Sequence, residues 1–223
     1  MTTGRGGKKR KRRRKTDRRT LYIRGGILVL VLLTVILGIY SCASGSRRKL
    51  DVDASEPDID VQLLDVNAYS RPGIETEGIN GIVIHYTANP GSTAQENRDY
   101  FNGLQYSQET EASSNFVVGM DGEIIQCVPT WEVAYASNER NFDTVSIECC
   151  HPDDSGEFTD ETYRSLVQLT AWLCLKFDLS EDDVIRHYDV TGKVCPKYFV
   201  DHEDAWEEFR QNVRRAMDRT LEN

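Results

Sequence analysis

Apolar residues along most of the chain follow two rhythms. Short β-branched runs bounded by glycine or polar residues read as strands, and longer segments with apolar positions three and four apart read as helices. Gly81 to His85, GIVIH, is a buried strand on this reading. Thr93 to Glu96, TAQE, is a capping box that opens a helix running to about Asn102 and stopping at Gly103. Ser114 to Met120 and Glu123 to Val128 flank an Asp121-Gly122 turn, the pattern of a β-hairpin. Thr144 to Cys149 is another strand, and Val184 to His187 is a short strand end that follows a turn at Ser180 to Asp183.

Thr159, with Asp160 and Glu161 behind it, starts the longest helix, whose Tyr163, Leu166, Val167, Leu173, Cys174 and Phe177 share one face. A last helix from Ala205 to Met217 packs Trp206, Phe209, Val213 and Met217. Strands interleaved with helices, a hairpin among them, predict an α/β fold: a mixed central β-sheet flanked by helices.

The first 61 residues follow neither rhythm. Lys8 to Lys15 read KKRKRRRK, and an uncharged run from Gly25 to Ser46 follows, strongly apolar from Ile27 to Tyr40. With Gly25, Gly26 and Ser41 to Ala43 included, this run predicts a single N-terminal transmembrane helix, with Arg24 snorkelling and Tyr22 and Tyr40 at the interfaces. The positive-inside bias places residues 1–24 in the cytoplasm as a basic tail, residues 25–43 in the membrane, and the remainder outside it. An uncleaved anchor is the first reading; a lipoprotein signal ending at Cys42 is the second, with Tyr40 a poor match to it. Residues 44–61, polar and acidic, read as a stalk of up to ~60 Å. That leaves residues 62–223 as one extracytoplasmic domain.

Charge sharpens this division. Of 223 residues, those from 1 to 43 hold 12 Lys/Arg and one acid, +11, whereas those from 44 to 223 hold 15 Lys/Arg and 35 acids, −20. An acidic folded part excludes nucleic acid as its partner, because phosphate binding needs clustered positive charge. Six cysteines in an exported chain raise the question of disulfides. Their spacing shows no framework, and Cys149 and Cys150 point to opposite sides of a strand, so free buried thiols are expected.

The chemistry-bearing residues stand where strands run out into loops. His85 ends GIVIH, His187 ends DVIRH, and Cys195 follows in HYDVTGKVCP with Lys193 two residues before it. Two imidazoles and a thiolate make a three-ligand set for zinc that leaves a fourth position for water. Taken singly, each residue is equally at home as a hydrogen-bonded structural histidine or a buried thiol.

Read together, the segments resemble the zinc-dependent N-acetylmuramoyl-L-alanine amidases, the family that includes phage-lysozyme-type amidases and peptidoglycan recognition proteins. GIVIHYTANPGSTAQENRDYF resembles the family's first strand, ligand His and following helix; SSNFVVGMDGEIIQCVP resembles its central hairpin. AYASNERNFDTVSIE resembles the stretch in which an Asn precedes a strand ending in Glu, and His187 to Pro196 resembles the second metal loop. The resemblance spans about residues 65–200 and implies His85, His187 and Cys195 as zinc ligands, with peptidoglycan as the substrate. It implies Glu148 as general base and acid and Lys193 as the group that stabilises the oxyanion. Phage-type members carry a Tyr near the hairpin start with a His beside it. Here Ser114 and Asn115 occupy those positions, where contact with substrate is expected. His151 and His202 read as loop histidines.

The function so implied is a membrane-anchored peptidoglycan hydrolase that cleaves the amide between N-acetylmuramic acid and the L-alanine of the stem peptide. Two rivals stand beside it. A recognition module would grip muropeptides without cutting them, and the full set of ligands and polar groups disfavours it. A cysteine peptidase would need its thiolate at a helix N-terminus beside a His base, whereas Cys195 precedes Pro196 in a loop.

Overall fold

The computed structural model describes residues 50–222. The basic tail, the expected transmembrane run and residues 44–49 of the expected stalk lie outside the described residues. No helix among the described residues is long and apolar enough to cross a membrane.

Six strands form one sheet: β1 (Asp60–Val61), β2 (Gly81–Tyr86), β3 (Phe116–Val118), β4 (Ile124–Gln126), β5 (Thr144–Cys149) and β6 (Val184–Arg186). Their order is β1-β4-β3-β5-β2-β6. Only the β3–β4 hairpin pairs antiparallel; every other neighbour is parallel, so the sheet is mixed as expected. Among the described residues five helices accompany it: α1 (Ala94–Ser107), α2 (Asp160–Phe177), α3 (His187–Thr191), α4 (Lys197–Asp201) and α5 (Glu203–Glu222).

Strand alternation divides the sheet into two unlike faces. Ile82 and Ile84 of β2, Phe116 and Val118 of β3, and Val145, Ile147 and Cys149 of β5 point to one side. There they pack with Leu166, Leu169 and Leu173 of α2 and with Trp206, Phe209 and Val213 of α5 in the main core. Each large side chain removed from water there contributes about 1.5–3 kcal/mol. The intervening positions are less uniform. Val117 joins Ile125, Cys127, Phe101 and Leu104 in a smaller cluster under α1, while Ser146, His85 and Glu148 bring polar atoms to the same side of the central strands. A sheet face that stops being apolar at the ends of β2 and β5 is where chemistry has room to occur.

The local signals mostly act where the sequence places them. Thr93 and Glu96 form the reciprocal capping box of α1, and Thr159 Oγ1 accepts the Thr162 N–H at the start of α2. Helix α1 passes through Gly103, because Leu104 is buried one residue later, and it ends when Gln108 takes the left-handed conformation (φ 55°). The hairpin turn is wider than an Asp-Gly pair. The Gly119 N–H donates to Glu123 O at 2.8 Å, and of the loop residues from Met120 to Gly122 only Gly122 has positive φ (84°). A Cβ there would lie 2.8 Å from Ser165 Oγ, so this tip is fitted against α2.

Of the stretch expected as a stalk, residues 50–61 are described, and several of them contact the domain. Ala54 is buried, and Leu50, Val52 and Ile59 pack against the main core. The Ala54 N–H donates to Thr220 Oγ1 at 2.7 Å, and Arg219 Nη1 reaches Asp51 Oδ1 and Val52 O, both at 3.1 Å. Leu50, Val52 and Ala54 alternate with Asp51 and Asp53, a run of only three apolar positions that is too short to read as a strand, yet with Ile59 they reach the core.

Candidate metal centre

Parallel pairing of β2 with β5 sets His85 directly opposite Glu148, and β6 on the other side of β2 ends at Arg186, one residue before His187. His187 therefore opens α3 rather than closing a strand. The loop that carries Cys195 folds back because the Tyr188 N–H donates to Cys195 O at 2.9 Å. Arg186 secures this turn from below. Buried beside Trp206, its guanidinium bonds Asp189 Oδ1 at 2.9 Å, Phe199 O at 2.9 Å and Glu203 Oε2 at 2.6 Å.

The outcome is a convergence of three buried side chains. One ligand atom from each of His85, His187 and Cys195 lies within 4.8 Å of the others, and these are the residues among those described that group in this way. Cys195 Sγ is 3.7 Å from His85 Nδ1, and the two imidazole rings meet edge to face at 4.7 Å. His187 Nδ1 is buried with no hydrogen-bond partner. A buried imidazole nitrogen that lacks a partner, next to a thiol and a second imidazole, suits a zinc ion.

Electrostatics agree with a ligand role. Burial holds His85 well below the usual imidazole range, with the neighbouring His187 and Lys193 adding to the effect, so its ring is neutral at pH 7. His187 is lowered by burial and then by Lys193. Burial and the Glu148 charge push the Cys195 thiol up to about 12, against the opposing influence of the Tyr86 N–H and Lys193. Such a thiol keeps its proton until a cation replaces it. Glu148 Oε1 stands 3.9 Å from His85 Nδ1, Oε2 is buried without a partner, and burial raises this carboxyl to about 8 while Lys193 opposes the rise.

Not every expected site residue comes here. The Ser114 hydroxyl donates to Phe116 O at 2.9 Å and Ser146 O at 3.0 Å. Asn115 Nδ2 donates to Pro129 O at 3.1 Å, and its Oδ1 accepts from the Ser146 N–H at 2.9 Å. Both residues are about 1% exposed or less. They fasten the hairpin to β5, and both are buried. His151 and His202 stand outside the ligand group; His151 Nδ1 is 2.7 Å from Asp153 O. Cys127, Cys149, Cys150, Cys174 and Cys195 are all free and buried, as expected.

Two residues at the centre carry no individual signal in the sequence. Ser137 Oγ is 3.1 Å from His85 Nε2 and Asn138 Oδ1 is 3.1 Å from His187 Nε2. They precede the strand that ends in Glu148, in a segment whose overall likeness to the family was visible while its individual contacts were not.

The N-acetylmuramoyl-L-alanine amidase family model matches residues 75–198, more than half of the chain, and takes in all three ligand residues. The chain belongs to that family. Among curated amidases, CwlL of Bacillus licheniformis is 37% identical over 160 residues, covering 66% of this chain and 44% of its own length. BlyA of Bacillus subtilis strain 168 is 34% identical over 173 residues, covering 68% of this chain and 46% of its own. The chain thus spans under half the length of these amidase relatives. The solved structure of PlyL shares the fold at a TM-score of 0.62 and 22% identity, over 72% of this chain and 99% of that one. The catalytic domain of XlyA gives 0.60 and 25% identity, over 70% and 99%.

Proposed function

We propose that this chain is a zinc-dependent N-acetylmuramoyl-L-alanine amidase, a membrane-anchored hydrolase that separates N-acetylmuramic acid from the L-alanine of the stem peptide. The observation that carries the reading is the convergence of His85, His187 and Cys195 within 4.8 Å in a chain of the amidase family. These three residues would hold the ion through two neutral imidazoles and a thiolate. When bound, zinc supplies a Lewis acid for the scissile carbonyl oxygen and acidifies water.

The remaining work falls to the chain's own groups. Glu148, across the strand pair from His85, takes a proton from the attacking water and delivers it to the departing nitrogen. Its burial favours holding that proton between the two transfers, and the Lys193 charge favours releasing it. Lys193, whose charge is felt by all four of these residues, faces the negative charge that develops on the carbonyl oxygen.

The apolar run of residues 25–43 and the basic tail before it support a single-pass anchor with the N-terminus in the cytoplasm and the domain on the wall side. Mass spectrometry of fragments released from purified peptidoglycan by the full chain tests the activity. Free stem peptides beginning with L-alanine, present with zinc and absent after chelation, are expected. Wall binding with no release would establish a recognition module instead, and release that survives chelation but stops on alkylation would establish a thiol enzyme.

A further inference from the structure

The two imidazoles come from distant parts of the chain, β2 and α3, yet a single dipeptide touches the far side of both. Ser137 Oγ sits 3.1 Å from His85 Nε2, and Asn138 Oδ1 sits 3.1 Å from His187 Nε2. An amide oxygen only accepts hydrogen bonds, so its partner nitrogen must carry the proton, and a neutral imidazole then has its lone pair on Nδ1. Nδ1 of His187 is the buried nitrogen with no partner. Ser137 can impose the same state on His85 by accepting from Nε2, which leaves the lone pair on the Nδ1 that faces Cys195 Sγ at 3.7 Å.

The backbone is shaped to present these two groups. Asn138 adopts positive φ (54°), a conformation that asparagine tolerates better than most residues. Asn141 Oδ1 reaches back to accept the Ala136 N–H at 3.1 Å and the Ser137 N–H. Thr144 Oγ1 donates to Arg140 O at 2.6 Å and ties the same turn to the start of β5. Ser137 itself is buried, 1% exposed.

We propose that Ser137 and Asn138 are positioning residues which fix His85 and His187 in the Nε2–H tautomer with both Nδ1 atoms turned to one point, and so set the affinity of the site for zinc. The inference rests on the reading of this site as a zinc centre. Partners of this kind lock ring orientation and raise the basicity of the ligating nitrogen.

The test uses the full chain and its Ser137→Ala, Asn138→Gly and Asn138→Asp variants, with zinc affinity measured by competition against a chromophoric chelator. Nitrogen-15 spectra of the imidazoles in the metal-free protein report the tautomer. Ser137→Ala and Asn138→Gly are expected to bind zinc about 10–100-fold more weakly, while Asn138→Asp, which keeps an acceptor, stays within about threefold of the parent. The parent should show His187 protonated at Nε2. Asn138→Gly preserves the positive φ, and if it failed to fold, Ser137→Ala and the spectrum of the parent would still decide. Parent-like zinc affinity in either loss variant, or His187 protonated at Nδ1 in the parent, overturns the inference while leaving the zinc centre standing. A parent that binds no zinc overturns both.

Discussion

His85 and Glu148 occupy facing positions on β2 and β5, with Nδ1 of one 3.9 Å from Oε1 of the other. The proposed ligand and the proposed proton carrier are thereby held on the backbone of paired strands rather than on loops. Glu148→Gln should leave zinc affinity within about threefold of the parent and lower kcat by about 10²–10⁴-fold, as removal of a general acid and base does. Zinc titration alongside turnover on purified peptidoglycan separates the two effects.

Lys193 is exposed and carries its charge on the short loop between α3 and Cys195. If it meets the developing oxyanion, Lys193→Ala lowers kcat by about 100-fold with KM little changed. Arginine there retains the charge and should recover part of the loss. A rise in KM with kcat unchanged would show instead that the lysine grips the substrate as tightly in the ground state as in the transition state.

Cys195→Ser exchanges a soft ligand for a poor one in a buried set of three. Zinc content after dialysis should fall below one per chain, and affinity should drop more than about 100-fold. Circular dichroism of the metal-free variant should match that of the metal-free parent, because the sheet and helices do not depend on the thiol.

Arg186 is the anchor beneath the metal loop, with bonds to Asp189, Phe199 O and Glu203. Arg186→Met should destabilise the domain by about 2–4 kcal/mol in urea unfolding, since it deletes several charged hydrogen bonds of a buried guanidinium. Zinc affinity should fall with it, although Arg186 touches no ligand atom position.

Burial pushes the Cys127 and Cys174 thiols up to about 12. Below pH 9 both folded and unfolded thiols keep their protons and the shift has no effect on stability. Between pH 9 and about 12 the unfolded chain ionises first, so these residues make folding less favourable as pH rises through that window. Iodoacetamide at pH 8 should leave both unlabelled in the native protein and label them once urea unfolds it, as peptide mapping would show.

The strands that carry the chemistry are legible in the sequence because their signals are dense. GIVIH and TVSIE each place β-branched residues on the core face and end in a polar group. Helix starts are equally legible, since Thr93 and Thr159 cap where their side chains can reach an N–H two or three residues on. What escapes is contact without a pattern. Ser137 and Asn138 gain their place from a single turn at positive φ, for which ASNER has no marker stronger than one asparagine. Ser114 and Asn115 are the opposite case: the sequence marks them as polar residues at a family position, and their burial where the hairpin meets β5 is not legible there. The acidic stretch before Gln62 looks solvated because its few apolar residues answer to α5, more than 160 positions away.

The bonds from Asp51 and Ala54 to the end of α5 bear on how the domain takes mechanical load. Tension arriving through the chain before Leu50 meets the Asp51–Arg219 and Ala54–Thr220 contacts first, and beyond them the two-residue pairing of β1 at the sheet edge. These elements can peel while β2 and β5 stay paired in the middle of the sheet. The strap therefore acts as a strain relief: a pull on the chain at Leu50 loads the rim of the domain first and the β2–β5 pair that holds His85 and Glu148 last.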